Sequence, residues 1–344
     1  MLTCVDADNS FVSHDGPQIP RVPTELSRAD RFGDLKVRLA YGRMRYTVEP
    51  GIYALGKPTA DSHVFVSANY KLSFNRLRSR LAGRDGWILV LDTKGINVWC
   101  SAAKGTFGTE ELVSRIEAVQ LEEIVAHRKL ILPQLAAPGV SAHEVKRQSG
   151  FKVIYGPVRS DDLPAFLDGG MKATEQMRRV EFPLADRIVL IPMELIGWVR
   201  HILCAAACLL VLAGLSREGY SGRLIASDGV RSALILLASY LAAGILGPTL
   251  LPWLPGRAFS VKGLWIGLAV ALGLGLCSSW SSLPGTTAWF LIIPALTSFV
   301  VMNFTGASTY TSLSGVKREM TIAVPAQLIC AVAGVGLWLA GRFV

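Results

Sequence analysis

Charge nearly stops at Arg187. Residues 1–187 carry 26 Lys/Arg and 22 Asp/Glu, whereas residues 188–344 carry only nine and four. The second stretch cannot cover itself with polar side chains and needs an apolar solvent. The two parts hold excesses of +4 and +5, so the net +9 is not gathered in one basic arm. Nucleic acid is therefore not expected as a partner.

The apolar half contains five runs: Trp198–Leu215, Ser232–Leu251, Gly263–Trp280, Thr287–Phe304 and Ile322–Ala340. Each approaches the ~20 residues with which a helix crosses about 30 Å of hydrocarbon. Open backbone polar groups are not tolerated in lipid, so all five are predicted as helices of an all-α transmembrane domain spanning 196–344. Gly263 and Gly267 form a G-x-x-x-G that permits close helix approach. Intramembrane charge is nearly absent, which argues against an ion pathway. With the N-terminal half in the cytoplasm, Arg178, Arg179, Arg187, Arg200, Arg257, Lys262, Lys317 and Arg318 lie inside, and Arg217, Arg223, Arg231 and Arg342 outside. That balance predicts a multi-pass protein of the inner (cytoplasmic) membrane. Met1–Ser10 is short and acidic and does not read as a signal peptide.

The six cysteines contain no C-x-x-C, so neither a zinc site nor an iron–sulfur cluster is expected in this chain. Cys204 and Cys208 lie one helical turn apart, either as a thiol pair for a soft metal or, preferably, as two small apolar residues.

In the charged half, residues 1–50 read as an N-terminal lead-in, mobile and polar over Met1–Ala29. Beyond it, His63–Ala68, Trp87–Leu91, Lys129–Leu132, Phe151–Tyr155 and Ile188–Ile191 read as strands. Tyr70–Leu81, Thr109–Gln120 (capped by Thr109), Ser141–Gln148 and Asp161–Leu167 read as helices. This alternation predicts an α/β domain over 51–192 with a largely parallel sheet. Ligands of such sheets bind beyond the carboxyl ends of the strands. Those ends are Ala68–Asn69, Asp92–Gly95, Pro133–Leu135 and Gly156–Arg159. No G-x-G-x-x-G or Walker sequence follows any strand, so NAD and ATP are not indicated.

One of these loops carries Cys100 in a short helix-compatible segment, Val98–Lys104, closed by Gly105. A thiolate suits soft or low-valent metals. Lys104, one turn on, favours the thiolate by its charge. The alternative is a structural buried cysteine.

Asn97-Val98-Trp99-Cys100-Ser101-Ala102-Ala103-Lys104 closely resembles the signature N-(V/I)-W-C-A-(A/G)-G-K of the HgcA family of mercury-methylation corrinoid proteins. The similarity extends over Ala68–Phe74, Leu89–Thr109, Pro133–Leu135, Val140–His143, Gly156–Arg159 and Asn303–Ser308. The charged half is also similar, more distantly, to the large subunit of the corrinoid iron–sulfur protein of acetyl-CoA synthesis.

The resemblance implies a Rossmann-like corrinoid-binding domain followed by five transmembrane helices. It implies a corrinoid-dependent methyltransferase that passes a cobalt-bound methyl group to Hg(II), with the Cys100 thiolate as lower axial cobalt ligand. The corrinoid-binding residues it implies are Asn69, Asp92, Thr93, Gly95, Asn97, Val98, Trp99, Cys100, Ser101, Ala102, Lys104, Gly105, Thr106, Thr109, Gln134, Leu135, Val140, His143, Gly156, Pro157 and Val158. The implied partners are an HgcB-like ferredoxin with two four-iron–four-sulfur clusters and a methyl-tetrahydrofolate-linked methyl donor. Two positions depart from the signature. Ser101 replaces Ala and is expected to donate a hydrogen bond to the thiolate or the ring. Ala103 replaces Gly and adds a methyl group near the corrin. The segment Asn303–Met320 is expected either to touch the corrinoid domain or to serve as a plain loop. Two other readings stay open: a corrinoid methyl carrier of one-carbon metabolism with a different acceptor, and a non-catalytic membrane binding module or transporter.

Overall fold

A computed structural model describes residues 11–12, 18–277, 282–304 and 313–343. The chain divides into two compact units, Met1–Val180 and Glu181–Val344.

The first unit is a seven-stranded sheet covered on both faces by helices. Its strands are β1 (Phe11–Val12), β2 (Ile19–Val22), β3 (Gly51–Leu55), β4 (Val64–Ala68), β5 (Gly86–Leu91), β6 (Lys129–Leu132) and β7 (Lys152–Tyr155), in the order β1-β2-β3-β5-β4-β6-β7. β4, β5, β6 and β7 run parallel, while β3 is antiparallel to β5. β5 is buried throughout. Trp87, Leu89 and Leu91 enter one core, and Ile88 and Val90 the other, as the two-residue period of a central strand requires. The helices are α1 (Arg28–Arg38), α2 (Lys71–Arg80), α3 (Val98–Lys104), α4 (Thr109–Ala118), α5 (Leu121–Ile124), α6 (Ala142–Ser149), α7 (Leu163–Asp168) and α8 (Glu175–Arg178). The α/β fold and largely parallel sheet agree with expectation. Four of the five expected strands form within a residue of their limits.

Three local expectations are corrected. The segment expected to be mobile, Met1–Ala29, is built into the fold over residues 19–29, and the lead-in continues as a helix: β2 pairs in parallel with β3, and α1 begins with a capping box between Ser27 and Asp30. Asp30 is buried, with Lys71 Nζ at 2.9 Å and Arg78 Nη2 at 2.6 Å. The inward face of α1 is therefore ionic, and a search for apolar periodicity passes over it. Next, Thr109 is the first helical residue of α4 and not its cap, which is Gly108. Finally, Ile188–Ile191 is not a strand. It joins α9 (Leu184–Ile188) to α10 (Ile191–Leu212), because the apolar run continues far beyond strand length.

In the second unit a two-stranded ribbon, β8 (Leu215–Ser216) and β9 (Gly219–Tyr220), follows α10. Then come α11 (Gly222–Leu224), a π-helical turn at Ile225–Gly229, α12 (Val230–Leu250), α13 (Phe259–Cys277), α14 (Leu283–Asn303) and α15 (Leu313–Ala340). Five helical segments are long and apolar enough to cross a membrane: Leu184–Leu212, Gly222–Leu250, Phe259–Leu276, Leu283–Asn303 and Ser314–Ala340. The G-x-x-x-G faces α14. A Cβ at Gly263 would lie 2.5 Å from Thr297 O, and one at Gly267 would lie 2.5 Å from Pro294 Cα. Two basic residues counted in the charge balance are used inside the bundle. Arg187 Nη1 donates to Pro248 O and Thr249 O, each at 2.8 Å, and Lys262 Nζ to Leu251 O at 2.7 Å. They satisfy carbonyls at the C-terminal end of α12, where cations are favoured. Of the Asn303–Ser308 similarity, residues 305–308 lie outside the described residues.

Two outcomes follow. Asp30→Ala leaves Lys71 and Arg78 facing each other without their counter-ion. It should lower the opening free energy of β2 and α1 by about 3 kcal/mol, read from amide hydrogen exchange. Burial alone would raise the Asp30 carboxyl, but the hydrogen bonds and charges of Lys71 and Arg78 outweigh it and hold the pKa below 3.8. This contribution is thus complete above the unfolded value and is lost as pH falls through the lower folded one. In the second unit, Gly267→Leu should separate α13 from α14 and cost roughly 1–3 kcal/mol, seen as earlier thermal aggregation in detergent.

Candidate functional site

The sheet order places β5 and its connecting helix α2 on one side of β4, and β6 on the other. Chain direction across the sheet therefore reverses between β4 and β6. A crevice opens at such a point because successive connections leave on opposite faces. A cavity of about 310 Å³ lies here. Phe65, Val66 and Ser67 of β4, and Ile131, Leu132 and Pro133 at the end of β6, form part of its wall. Gly156, Pro157 and Val158 after β7 form another part. Ser73, Arg76 and Leu77, three and four residues apart on α2, contribute one helical face. Asn97, Val98, Trp99 and Leu135 line it from the loop side, with Ser160 and Leu163 beside them.

The loop between β5 and α3 is organised by one side chain. Asn69 Oδ1 accepts from Thr93 N at 3.1 Å, Thr93 Oγ1 at 2.9 Å and Gly95 N at 3.0 Å. Asn69 and Thr93 are both buried. Thr93 Oγ1 also lies 2.7 Å from Ile96 O. Gly95 adopts φ +71°, which an L side chain rarely does. Asp92 N donates to Glu111 Oε1 at 2.8 Å. Burial pushes the Asp92 carboxyl upward, but its hydrogen bonds with Lys94 prevail and the pKa is lowered. The carboxylate is held by Lys94 at the loop's outer side.

This loop delivers the start of α3. Asn97 is its N-cap, and Oδ1 accepts from Cys100 N at 3.0 Å. Gly105 closes the helix at φ +80°. Cys100 is a free, half-buried thiol in the middle of this short rigid element. Lys104 is exposed, four residues further on. The Ser101 hydroxyl does not reach toward the thiolate or a ligand. It is wholly buried and lies 2.6 Å from Asn97 O and 3.0 Å from Val98 O, bonding back into its own helix. Ala103 is exposed.

The expected residues thus fall into groups. Asn97, Val98, Trp99, Leu135, Gly156, Pro157 and Val158 meet at the cavity. Asn69, Asp92, Thr93 and Gly95 build the loop that aims α3. Ala102 lies on the buried side of α3, and Thr106 Oγ1 lies 3.4 Å from Ser101 O just beyond the helix. Thr109 Oγ1 accepts from Ser141 N at 2.9 Å, joining the starts of α4 and α6. Val140 is buried, and its carbonyl accepts from Tyr155 OH at 2.6 Å. Gln134 is half-buried beside Leu135. His143 is exposed on the first turn of α6, where its ring nitrogen lies 3.1 Å from Ser141 Oγ.

Sequence reasoning passed over the α2 face and Gly139. A Cβ at Gly139 would lie 2.3 Å from Phe107 O and 2.9 Å from Ala102 O. Only glycine lets this turn approach the back of α3. The α2 face was readable from the spacing of Ser73, Arg76 and Leu77. Gly139 has no local signal, since its neighbours come from another loop.

Residues 41–167 match the family described as CO dehydrogenase/acetyl-CoA synthase delta subunit. Among similar proteins is the acetyl-CoA decarbonylase/synthase complex subunit gamma of Archaeoglobus fulgidus, 37% identical over 123 residues, or 35% of this chain and 26% of that protein. The same subunit of Methanopyrus kandleri is 37% identical with the same coverage. That of Methanothermobacter thermautotrophicus is 32% identical over 128 residues, 37% of this chain and 28% of the relative. The chain spans about a quarter of the length of these relatives. The matched segment holds β3 to β7, the cavity and α3.

Removing either support should loosen α3. Asn97→Ala leaves the Cys100 amide without its acceptor and should cost about 1 kcal/mol, with faster hydrogen exchange across 98–101. Gly139→Ala should raise exchange over the same amides by displacing the helix from behind.

Proposed function

We propose that the α/β unit is a corrinoid-binding domain that takes part in methyl transfer, with Cys100 as the lower axial ligand of cobalt. The observation that carries this reading is the capped helix at the sheet's switch point. Asn97, Val98 and Trp99 wall the cavity, and the next residue is a free, half-buried thiol. Similarity of residues 41–167 to subunits of acetyl-CoA decarbonylase/synthase complexes supports the same class of chemistry.

The residues fit such a group. A thiolate is a soft donor suited to a low-valent metal. Val98, Trp99, Leu135, Pro157 and Val158 give the apolar walls that a large macrocycle needs. About 310 Å³ is at the small end of ligand cavities, so this cavity takes an edge of a large cofactor and does not enclose it. When bound, the corrinoid supplies a cobalt centre that carries a methyl group and yields it to a soft acceptor. Cys100 would hold the cobalt, and its thiolate would donate electron density to the metal. Asn97 fixes the helix that carries the thiol, and the Asn69 loop fixes Asn97. Trp99 and Val98 exclude water beside it. Ser101 is spent inside the helix, so it does not weaken the thiolate's donation.

The acceptor we propose is Hg(II), from the Asn97–Lys104 resemblance. The proposed partners are an HgcB-like ferredoxin for re-reduction and a methyl-tetrahydrofolate-linked donor. The apolar unit would anchor the domain in the inner (cytoplasmic) membrane, with the corrinoid domain in the cytoplasm. The similarity to acetyl-CoA decarbonylase/synthase subunits favours a second reading, a methyl carrier of one-carbon metabolism with another acceptor.

Anaerobic reconstitution of the full chain with cobalamin should give a bound corrinoid spectrum. Cys100→Ala should retain the corrinoid but change that spectrum, and should abolish methylmercury formation from Hg(II) by expressing cells. Continued methylation by Cys100→Ala would overturn the axial role. Corrinoid binding with no methylmercury formation in the wild type would favour the second reading, and failure to bind corrinoid would overturn both.

A further inference from the structure

We infer that α1 and the turn after it form an interfacial surface that rests on an anionic lipid bilayer. The inference builds on the reading of the second unit as membrane-spanning and is independent of the corrinoid.

α1 is built inside out. Asp30, Gly33, Asp34 and Val37 share its inward face at helical spacing. Asp30 pairs there with Lys71 and Arg78, and Asp34 Oδ1 accepts from Asn75 Nδ2 at 2.9 Å and Tyr46 OH at 3.0 Å. A Cβ at Gly33 would meet the Tyr46 hydroxyl at 2.5 Å, so this face is tightly packed. Both acids of the helix are thereby withdrawn from the surface.

The opposite face carries Phe32, Leu35 and Leu39, at i, i+3 and i+7. They are 58%, 52% and 37% exposed. Tyr41 and Met44 extend the apolar strip at 71% and 64% exposure. Five large apolar side chains in thirteen residues, all turned outward, form a patch that solvent does not favour. Arg28, Arg31, Arg38 and Arg45 are exposed around it. Lys36 Nζ sits 4.5 Å from the Phe32 ring centroid, with its charge above the aromatic face. An apolar strip flanked by cations, with no acid facing outward, is complementary to acyl chains beneath anionic headgroups. A chain with five helices long enough to cross a membrane would place such a surface within reach of one. The patch also adjoins the loop that aims α3: a Cβ at Gly95 would lie 3.2 Å from Met44 O.

The test compares the full chain in phosphatidylcholine vesicles with the same chain in mixed phosphatidylcholine–phosphatidylglycerol vesicles. Amides of residues 28–45 should exchange several-fold more slowly in the anionic vesicles. Replacing Phe32→Ser with Leu35→Ser should remove that protection. Neutralising Arg31→Gln with Arg38→Gln should weaken the association about thirtyfold and reduce the lipid dependence. These side chains are exposed, so folding should persist, with unchanged exchange in β4 and β5 as the control. Equal exchange in both vesicle types would overturn the inference. So would protection already present in detergent, which would assign the patch to a protein contact. Resistance of each variant to alkaline extraction reports the spans separately, so a failure of membrane insertion is told apart from a failure of the surface.

Discussion

The carboxamide of Asn69 is the interaction on which the site depends. A buried carbonyl oxygen with three donors aimed at it is expensive to displace, because three converging bonds are lost together and Gly95 N loses the acceptor that holds it. It ties the end of β4 to the loop leaving β5, and that loop ends at Asn97, the cap of α3. The helix bearing Cys100 is seven residues long, too short to be stable alone. It exists because its start is held through Asn69, its end is released by Gly105, and its back rests against the turn at Gly139.

The sheet supplies the place for this arrangement. Reversal of strand order between β4 and β6 opens a crevice, and the loops after β6 and β7 turn into it. The cavity is mainly apolar with few polar groups, and its charged lining residue, Arg76, is paired with Asp161. In the second unit the logic is different. Close packing there comes from glycine against backbone at Gly263 and Gly267, and buried cations are spent on the carbonyls of α12.

Much of this was legible in the amino-acid order. Strands buried on both faces are continuous apolar runs, and these mark β4 to β6. Positions after the strands gave the edge where the cavity lies, since parallel strands share a carboxyl end. What escaped notice does not follow apolar periodicity. β2 is a short strand with Pro20 within it; β3 is the exception, an apolar run buried over its last four residues that was passed over. α1 has its charges inward and its apolar residues outward, so its pattern points away from the core it serves. Ser101 could be placed on a short helix but not aimed, because a hydroxyl at that position can bond either outward or to the carbonyl four residues back.

The sequence by itself determined the division into a charged and an apolar half, the alternating α/β pattern and the presence of one thiol in a short helix between glycines. These are properties of local composition and period, and no distant residue can undo them. The tertiary structure decided which residues touch. It drew Asn69, Thr93 and Gly95 into one knot, set Gly139 against α3, and joined β4, β6 and α2 around a single cavity. Such contacts are made by residues far apart in the chain, and only closure of the sheet brings them within hydrogen-bonding distance.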